Sequence, residues 1–329
     1  MPGPAPERGS QPSPTPTRRI SAGELAALVG PAAAMDAIVD TLRLFDPEND
    51  PPRAVVPLTA GQYLLMPAEL GEFAGVKVAT VTPGNPAVGL PRIQADYLLH
   101  DARTHELLAV LDGTALTTVR TPAVSVGIMR EVLRDRFAGG CRVLLYGAGP
   151  QAAGHLAALD RVVPVDEVVV AVRDVARHTP AVRALWGERA RVVAAATADP
   201  AAADVIVAAT TSPIPLFEGA TVADRAIVIA VGSHEPTVRE LDAALLGRAT
   251  VVVEAVSTAL SECGDVILAI GEKSLTAADL VPARDWVRSR PAAAGPVVLK
   301  TAGMSWEDLA IAALAYRRAA TAPESGAVR

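Results

Sequence analysis

The sequence predicts an α/β fold with a doubly wound parallel sheet in its second half, and three observations carry that expectation. "CRVLLYGAGPQAAGHLAAL" (141–159) reads as a buried strand, a Gly147-x-Gly149-x-x-Ala152 turn and a helix. Continuous apolar strands then alternate with helices, the pattern of a parallel sheet covered on both faces. Ahead of them, Arg53 to Val110 reads as short strands divided by turns, which indicates an antiparallel sheet.

The bulk properties fit an enzyme of two domains. The 329 residues can bury a large core, and since 50% are hydrophobic but only 3% aromatic, that core must be Ala, Val, Leu and Ile. A net charge of −6 and a pI near 5.5 argue against a nucleic-acid or anionic-membrane partner. No apolar run approaches the ~20 residues that span a bilayer. Residues 1–19, "MPGPAPERGSQPSPTPTRR", lack the apolar centre of a signal peptide and read as a disordered extension of a cytoplasmic protein. Cys141 and Cys263 lie far apart in apolar company, as reduced structural thiols do. Of the 30 basic residues only Lys77, Lys273 and Lys300 are lysines.

Taken in order, residues 20–46 have helical spacing, with Ser21 and Glu24 forming a capping box. "VVPL", "QYLLMPAEL", "FAGVKVATVTP", "IQADYLLHD" and "ELLAVLDG" are the strands of the antiparallel sheet. "TPAVSVGIMREVLRDRF" follows as a helix, with Thr121 as N-cap and Pro122 at its first position. After the glycine turn come "DEVVVAV", a helix near 176–187, "ARVVAAA", "ADVIVAAT", "RAIVIAV" and "ATVVVEA". "SWEDLAIAALAYRRAA" is a closing amphipathic helix.

The glycine turn stands in the context that a dinucleotide requires. Its glycines allow close backbone approach, and the helix N-terminus offers free N–H groups to a pyrophosphate. The parallel unit is therefore Rossmann-type. At the end of the next strand Arg173 and Asp174 point to different cofactors. An acid there favours the ribose 2′-hydroxyl of NAD(H), whereas an arginine, with Arg177 and His178 nearby, favours the 2′-phosphate of NADP(H). Arg173 comes first, which favours NADP(H).

Arg53, Lys77 and Arg120 are three cations from separate segments of an acidic chain, a set suited to a carboxylate ligand. They fall in or beside blocks that, in order, resemble the ornithine cyclodeaminase/mu-crystallin family. The blocks are "GVKVATVTPGNPAVGLPRIQADYLLHD", "LAVLDGTALTTVRTPAVS", "LLYGAGPQAAGH", "ATTSPIPLF", "AVGSHEPTVRELD" and "VVLKTAGMSWEDLA". The likeness runs from about residue 20 to 318. It implies a Rossmann domain (121–299) inserted into a smaller α+β substrate and dimerisation domain (20–120 plus 300–329), and hence a homodimer. It implies that Arg53, Lys77 and Arg120 hold the carboxylate of a small imino or amino acid. On the cofactor side it implies Thr117, Gly147, Ala148, Gly149, Gln151, Ala152, Arg173, Thr210, Thr211, Val231, Gly232, Lys300 and Thr301. Asp308 is expected to orient the cofactor or cap the last helix.

Within "AVGSHEP", His234 stands where cyclodeaminases of the family carry an aspartate that contacts the distal amine. A histidine anchors an ammonium poorly but can protonate an imine nitrogen. Lys77, desolvated beside two arginines, is the other acid–base candidate. The expected activity is therefore NAD(P)H-dependent reduction of a small cyclic imino acid of the 1-pyrroline-2-carboxylate or ketimine type. Ornithine cyclodeaminase, an amino-acid dehydrogenase and a non-enzymatic ligand-binding protein are the alternatives. No metal is expected, since His100 and His105 lack ligand spacing.

Overall fold

The computed structural model describes residues 16–321, which contain two sheets linked by one long helix. The first sheet comprises β1 (Arg18–Ile20), β2 (Ala54–Leu58), β3 (Gly61–Leu70), β4 (Phe73–Val81), β5 (Ile93–Asp101) and β6 (Leu107–Asp112), in the order β1-β6-β5-β4-β3-β2. β1 joins β6 in parallel, and the other neighbours are antiparallel. Arg18 and Arg19 thus belong to a strand rather than to the expected N-terminal extension. Residues 1–15 of that extension lie outside the described residues.

Two helix boundaries differ from the sequence expectation, both at prolines. The single helix expected over 20–46 is two, α1 (Ala22–Leu28) and α2 (Pro31–Leu44), bent 77° to each other. Pro31 has no N–H to continue a helix and instead begins one, with Gly30 as N-cap. The Ser21–Glu24 capping box is present, Ser21 N donating to Glu24 Oε2 at 2.9 Å. The linking helix α3 (Gly113–Phe137) starts eight residues before the expected Thr121. Asp112 caps it by accepting from Ala115 N at 2.8 Å, and Pro122 lies inside it. The interior proline is sheltered by α4 (Pro150–Leu159), where a Cβ on Gly154 would stand 2.6 Å from Pro122 Cγ. Only glycine permits that approach.

The second sheet is entirely parallel and comprises β7 (Cys141–Tyr146), β8 (Val165–Val172), β9 (Ala190–Ala194), β10 (Val205–Ala208), β11 (Ile227–Ala230), β12 (Thr250–Val253), β13 (Leu280–Pro282) and β14 (Val297–Lys300). Their order is β13-β12-β14-β11-β10-β7-β8-β9. Successive residues enter opposite cores: Leu145, Val207, Ile229 and Leu299 face one, and Leu144, Ile206, Val228 and Val298 the other. The covering helices are α5 (Val175–Trp186), α6 (Ala243–Leu246), α7 (Val256–Glu262), α8 (Gly264–Gly271) and α9 (Ala283–Ser289). The last helix, α10 (Ser305–Thr321), returns to pack on β3, β4, α2 and α3 of the first unit. Among the described residues no single helix is long and apolar enough to cross a membrane.

One histidine ties this core to pH. His155 of α4 is fully buried, its Nδ1 donates to Gln151 O at 2.7 Å, and its Nε2 has no partner. Burial pushes its pKa down to about 4. The unfolded chain therefore takes up a proton near pH 6.5 that the folded one refuses, and stability is lost as pH falls from there towards 4. Between pH 7.5 and 4.5 the wild type should lose roughly 2.5 kcal/mol more than His155→Leu in urea unfolding. Equal losses in the two proteins would contradict this assignment.

Candidate active site

The C-terminal ends of β7, β10 and β11 open into a cleft of about 910 Å3. Gly147, Ala148, Gln151, Arg173, Thr210, Thr211, Val231 and Gly232 line it, and His234 stands exposed at its rim. Gly147 has φ +104, and a Cβ there would sit 2.6 Å from Ala209 O. Gly149 N-caps α4 without a side-chain hydrogen bond, so the first-turn amides beside the cleft are free for an external anion. An uncapped helix end beside a glycine turn fits a dinucleotide diphosphate. Ala152 is buried beneath the turn, and Thr117 meets the cleft indirectly, its carbonyl accepting from Gln151 Nε2 at 3.4 Å.

Arg173 and Asp174 do different work. Asp174 is the N-cap of α5, accepting from Arg177 N at 3.0 Å. Its carboxylate is engaged locally through one oxygen, and Asp174 lines the cleft together with Arg173, Arg177 and His178.

A buried charge network shapes the far wall. Glu240 accepts from Thr210 N and Oγ1 at 2.8 and 2.6 Å and from Gly232 N at 2.8 Å, tying together the loops after β10 and β11. Asp265 accepts from Glu240 N and Leu241 N, and its other oxygen stands 3.7 Å from Lys300 Nζ. Lys300 Nζ donates to Ser233 O at 2.5 Å, Thr301 O at 2.7 Å and Ala230 O at 3.4 Å. Lys300 and Thr301, expected beside the cofactor, stand behind the cleft wall. Both are buried and neither lines the cleft; Lys300 holds up the loop that carries His234.

The three expected cations do converge. Lys77 lies on β4 opposite Tyr97 of β5 and Met66 of β3, and its Nζ meets Asp308 Oδ2 at 2.6 Å. Arg120 of α3 bonds Glu307 Oε2 through Nη1 at 2.6 Å, with Nε 3.6 Å from Asp308 Oδ1. Arg53 donates to Gly303 O at 2.6 Å and pairs with Glu262 Oε2 at 2.8 Å. Gly303 has φ +80, and a Cβ there would strike the Arg120 guanidinium at 2.5 Å, so Gly303 brings Arg53 and Arg120 to one turn of chain. Asp308 thus pairs with Lys77 and Arg120. Its neighbour Asp50 supplies the cap expected of it, accepting from Ser305 N and Trp306 N at 2.8 and 3.2 Å.

Burial sets the titration of this group. Desolvation lowers the pKa of Lys77, Asp308 opposes it, and the charge of Arg120 lowers it further. Burial, then the charge of Glu254, pushes Glu307 well up, so it holds a proton more readily than an ordinary glutamate. Burial also raises Asp50 to about 7 despite its two amide bonds. His234 is lowered, first by the chain crowding it and then by Arg53, so its imidazole is neutral near pH 7. The carboxylates Asp50, Glu240, Glu254, Glu262, Asp265 and Glu307 carry no sequence signal of their own, because each acts through a partner distant in the chain. Glu240, Glu307 and Asp308 fall in recognisable blocks, but the blocks do not say which cation or amide each one meets.

The sequence pattern of the ornithine cyclodeaminase/mu-crystallin family matches residues 22–322. Delta(1)-pyrroline-2-carboxylate reductase 2 of Burkholderia ambifaria is 33% identical over 88% of this chain and 92% of its own. Ketimine reductase mu-crystallin of Mus musculus is 31% identical over 81% of this chain and 84% of its own. The structure of Thermococcus litoralis Delta(1)-pyrroline-2-carboxylate reductase in complex with NADH and L-proline superposes with a TM-score of 0.82. It covers 92% of this chain and 98% of its own at 25% identity.

The Lys300 network generates a stability prediction. Removing one partner of a buried, hydrogen-bonded charge set typically costs about 3 kcal/mol or more. Lys300→Met should lower unfolding free energy by about that much in urea titration, and a loss below about 1 kcal/mol would mean that the ammonium does not carry the loop.

Proposed function

Because the chain belongs to the ornithine cyclodeaminase/mu-crystallin family, we propose that it is an NAD(P)H-dependent reductase of a small cyclic imino acid such as 1-pyrroline-2-carboxylate. The observation that carries this reading is the convergence of Lys77, Arg120 and Arg53 near a cleft that fits a dinucleotide. The chemistry that a bound nicotinamide cofactor supplies is hydride donation to the C=N carbon. The residues of this chain do the rest. Arg53 and Arg120 bind the substrate carboxylate and thereby fix the ring in one orientation. Lys77, charged and desolvated, adds a point charge and gives its proton to the ring nitrogen. Asp308, 2.6 Å from Lys77 Nζ, holds that ammonium in place and favours its charged form. His234 is the second proton donor at the rim, working as an acid only when a bound anion restores its proton. A neutral imidazole there is a poorer anchor for a distal ammonium than a carboxylate, which weighs against ornithine cyclisation.

We further infer a preference for NADPH, since Arg173, Arg177 and His178 line the cleft beside Asp174, whose Oδ1 is engaged as a helix cap. A homodimer is supported by β2, a free sheet edge on which all five residues, Val55, Val56 and Leu58 among them, are exposed.

Absorbance at 340 nm with the cyclic imine should show oxidation of NADPH faster than of NADH, and no proline should form from ornithine with NAD. Lys77→Met should lower kcat/KM by about a hundredfold or more, and Arg173→Ala should raise the KM for NADPH about tenfold. Proline and ammonia from ornithine would sink the reductase reading. In sedimentation velocity the wild type should run as a dimer and Val56→Lys should shift it towards monomer; a monomeric wild type would end that part of the proposal.

A further inference from the structure

The guanidinium that this reading assigns to the substrate is already engaged. Arg53, just ahead of β2, reaches across to Glu262 at the end of α7, Nη2 to Oε2 2.8 Å, while also donating to Gly303 O. Arg53 is in turn the group that favours the charged form of Glu262.

The three ion pairs of the site differ in one respect. Asp308 and Glu307, which face Lys77 and Arg120, have no exposed side-chain surface and cannot leave their partners without stranding a charge in the protein interior. The Arg53–Glu262 pair keeps 14% and 27% of its side-chain surfaces open, so Glu262 can turn into water. Of the three acids it alone can yield its place to an arriving carboxylate.

Resting on the imino-acid reading, we propose that Glu262 is an internal competitor for Arg53, an affinity-setting residue whose carboxylate occupies the place that the substrate carboxylate takes. Binding then exchanges one carboxylate for another on the same guanidinium, with no bond made or broken. Burial already raises the pKa of Glu262, with Arg53 opposing. Once displaced, Glu262 loses the contact that favours its charge and can take up a proton or face solvent.

The exchange has a sign that a merely supporting role would not produce. If Glu262 oriented Arg53, removing its charge would weaken carboxylate binding; as a competitor, removing it strengthens binding. The test is calorimetric titration of the full-length protein with pyrrole-2-carboxylate, a planar ring carboxylate that cannot accept hydride, and with the uncharged pyrrole-2-carboxamide. Glu262→Gln should bind the carboxylate about two- to fivefold tighter than wild type, the range of a partly exposed ion pair. Glu262→Ala should move in the same direction, and neither substitution should change binding of the carboxamide. Equal or weaker carboxylate binding by Glu262→Gln, or an equal gain for the carboxamide, overturns the proposal, as does a carboxylate that binds none of the three proteins. Should Glu262→Gln fail to fold, Glu262→Ala carries the same comparison. Cofactor oxidation is measured separately on the wild type, so a protein that binds the carboxylate but reduces no imine fails the functional reading and leaves the Glu262 result standing.

Discussion

The site depends on how two cations survive burial. Lys77 and Arg120 are almost wholly withdrawn from water, and an isolated ammonium or guanidinium in that position is prohibitively costly. What makes them tolerable is the first turn of α10, which brings Glu307 and Asp308 to 2.6 Å from each. This constraint explains why the chain must come back. Lys77 lies on β4 and Arg120 on α3, but the compensating acids lie 231 and 187 residues later, so the first unit is electrostatically incomplete without the last helix. The parallel sheet lies between them in the chain. Asp50 reinforces the arrangement by capping the same helix end, where the macrodipole favours negative charge.

The cofactor side repeats the logic with signs reversed. There the buried carboxylates Glu240 and Asp265 need cations and amides, and they find Lys300 and the free N–H groups of Thr210, Gly232, Glu240 and Leu241. Lys300 terminates β14, the strand immediately before the turn into α10. Residues 300–308 therefore serve both halves: the first supports the loop bearing His234, and the last two pair with Lys77 and Arg120. Gly303 sits at the crossing, in a conformation and a space that admit no side chain. Displacement of either charged cluster would be felt by the other through this short piece of chain.

Much of this was legible in sequence because it rests on local pattern. The strand–glycine–helix turn at 141–159 is read from neighbours within twenty residues, and Gly147 shows why, its left-handed φ being available to glycine alone. The alternating antiparallel strands follow from side-chain period, and the Ser21–Glu24 cap from a spacing of three. Elements that escaped are short. Helices α6 to α9 run four to eight residues, too few turns for periodicity to declare itself. Pro31 and Pro122 show that one residue type has opposite meanings set by context. Pro31 starts a helix because the chain turns there, while Pro122 rides inside one because Gly154 of the next helix covers it. Lys300 was singled out for its rarity, yet its role could not be read, since its partners are backbone carbonyls that tertiary contact alone supplies.

The acids were the least legible part, and they decide how the site behaves. Composition gives an acidic chain with arginines, from which the three cations look like free hooks for a carboxylate. In the folded protein each is already matched, so the binding energy available to a ligand is the difference between two sets of ion pairs rather than the strength of one. Arg120 and Lys77 keep their partners when a ligand arrives, since Glu307 and Asp308 have nowhere to go; they act as a fixed, partly neutralised platform. Arg53 is held by an acid near solvent and is the one cation whose partnership can change. Its charge also lowers the pKa of His234 at the cleft rim. That contribution is second to burial, which a bound ligand does not relieve. Any ligand that changes the partnership of Arg53 therefore acts on His234 as well, through the smaller of the two causes that lower its pKa.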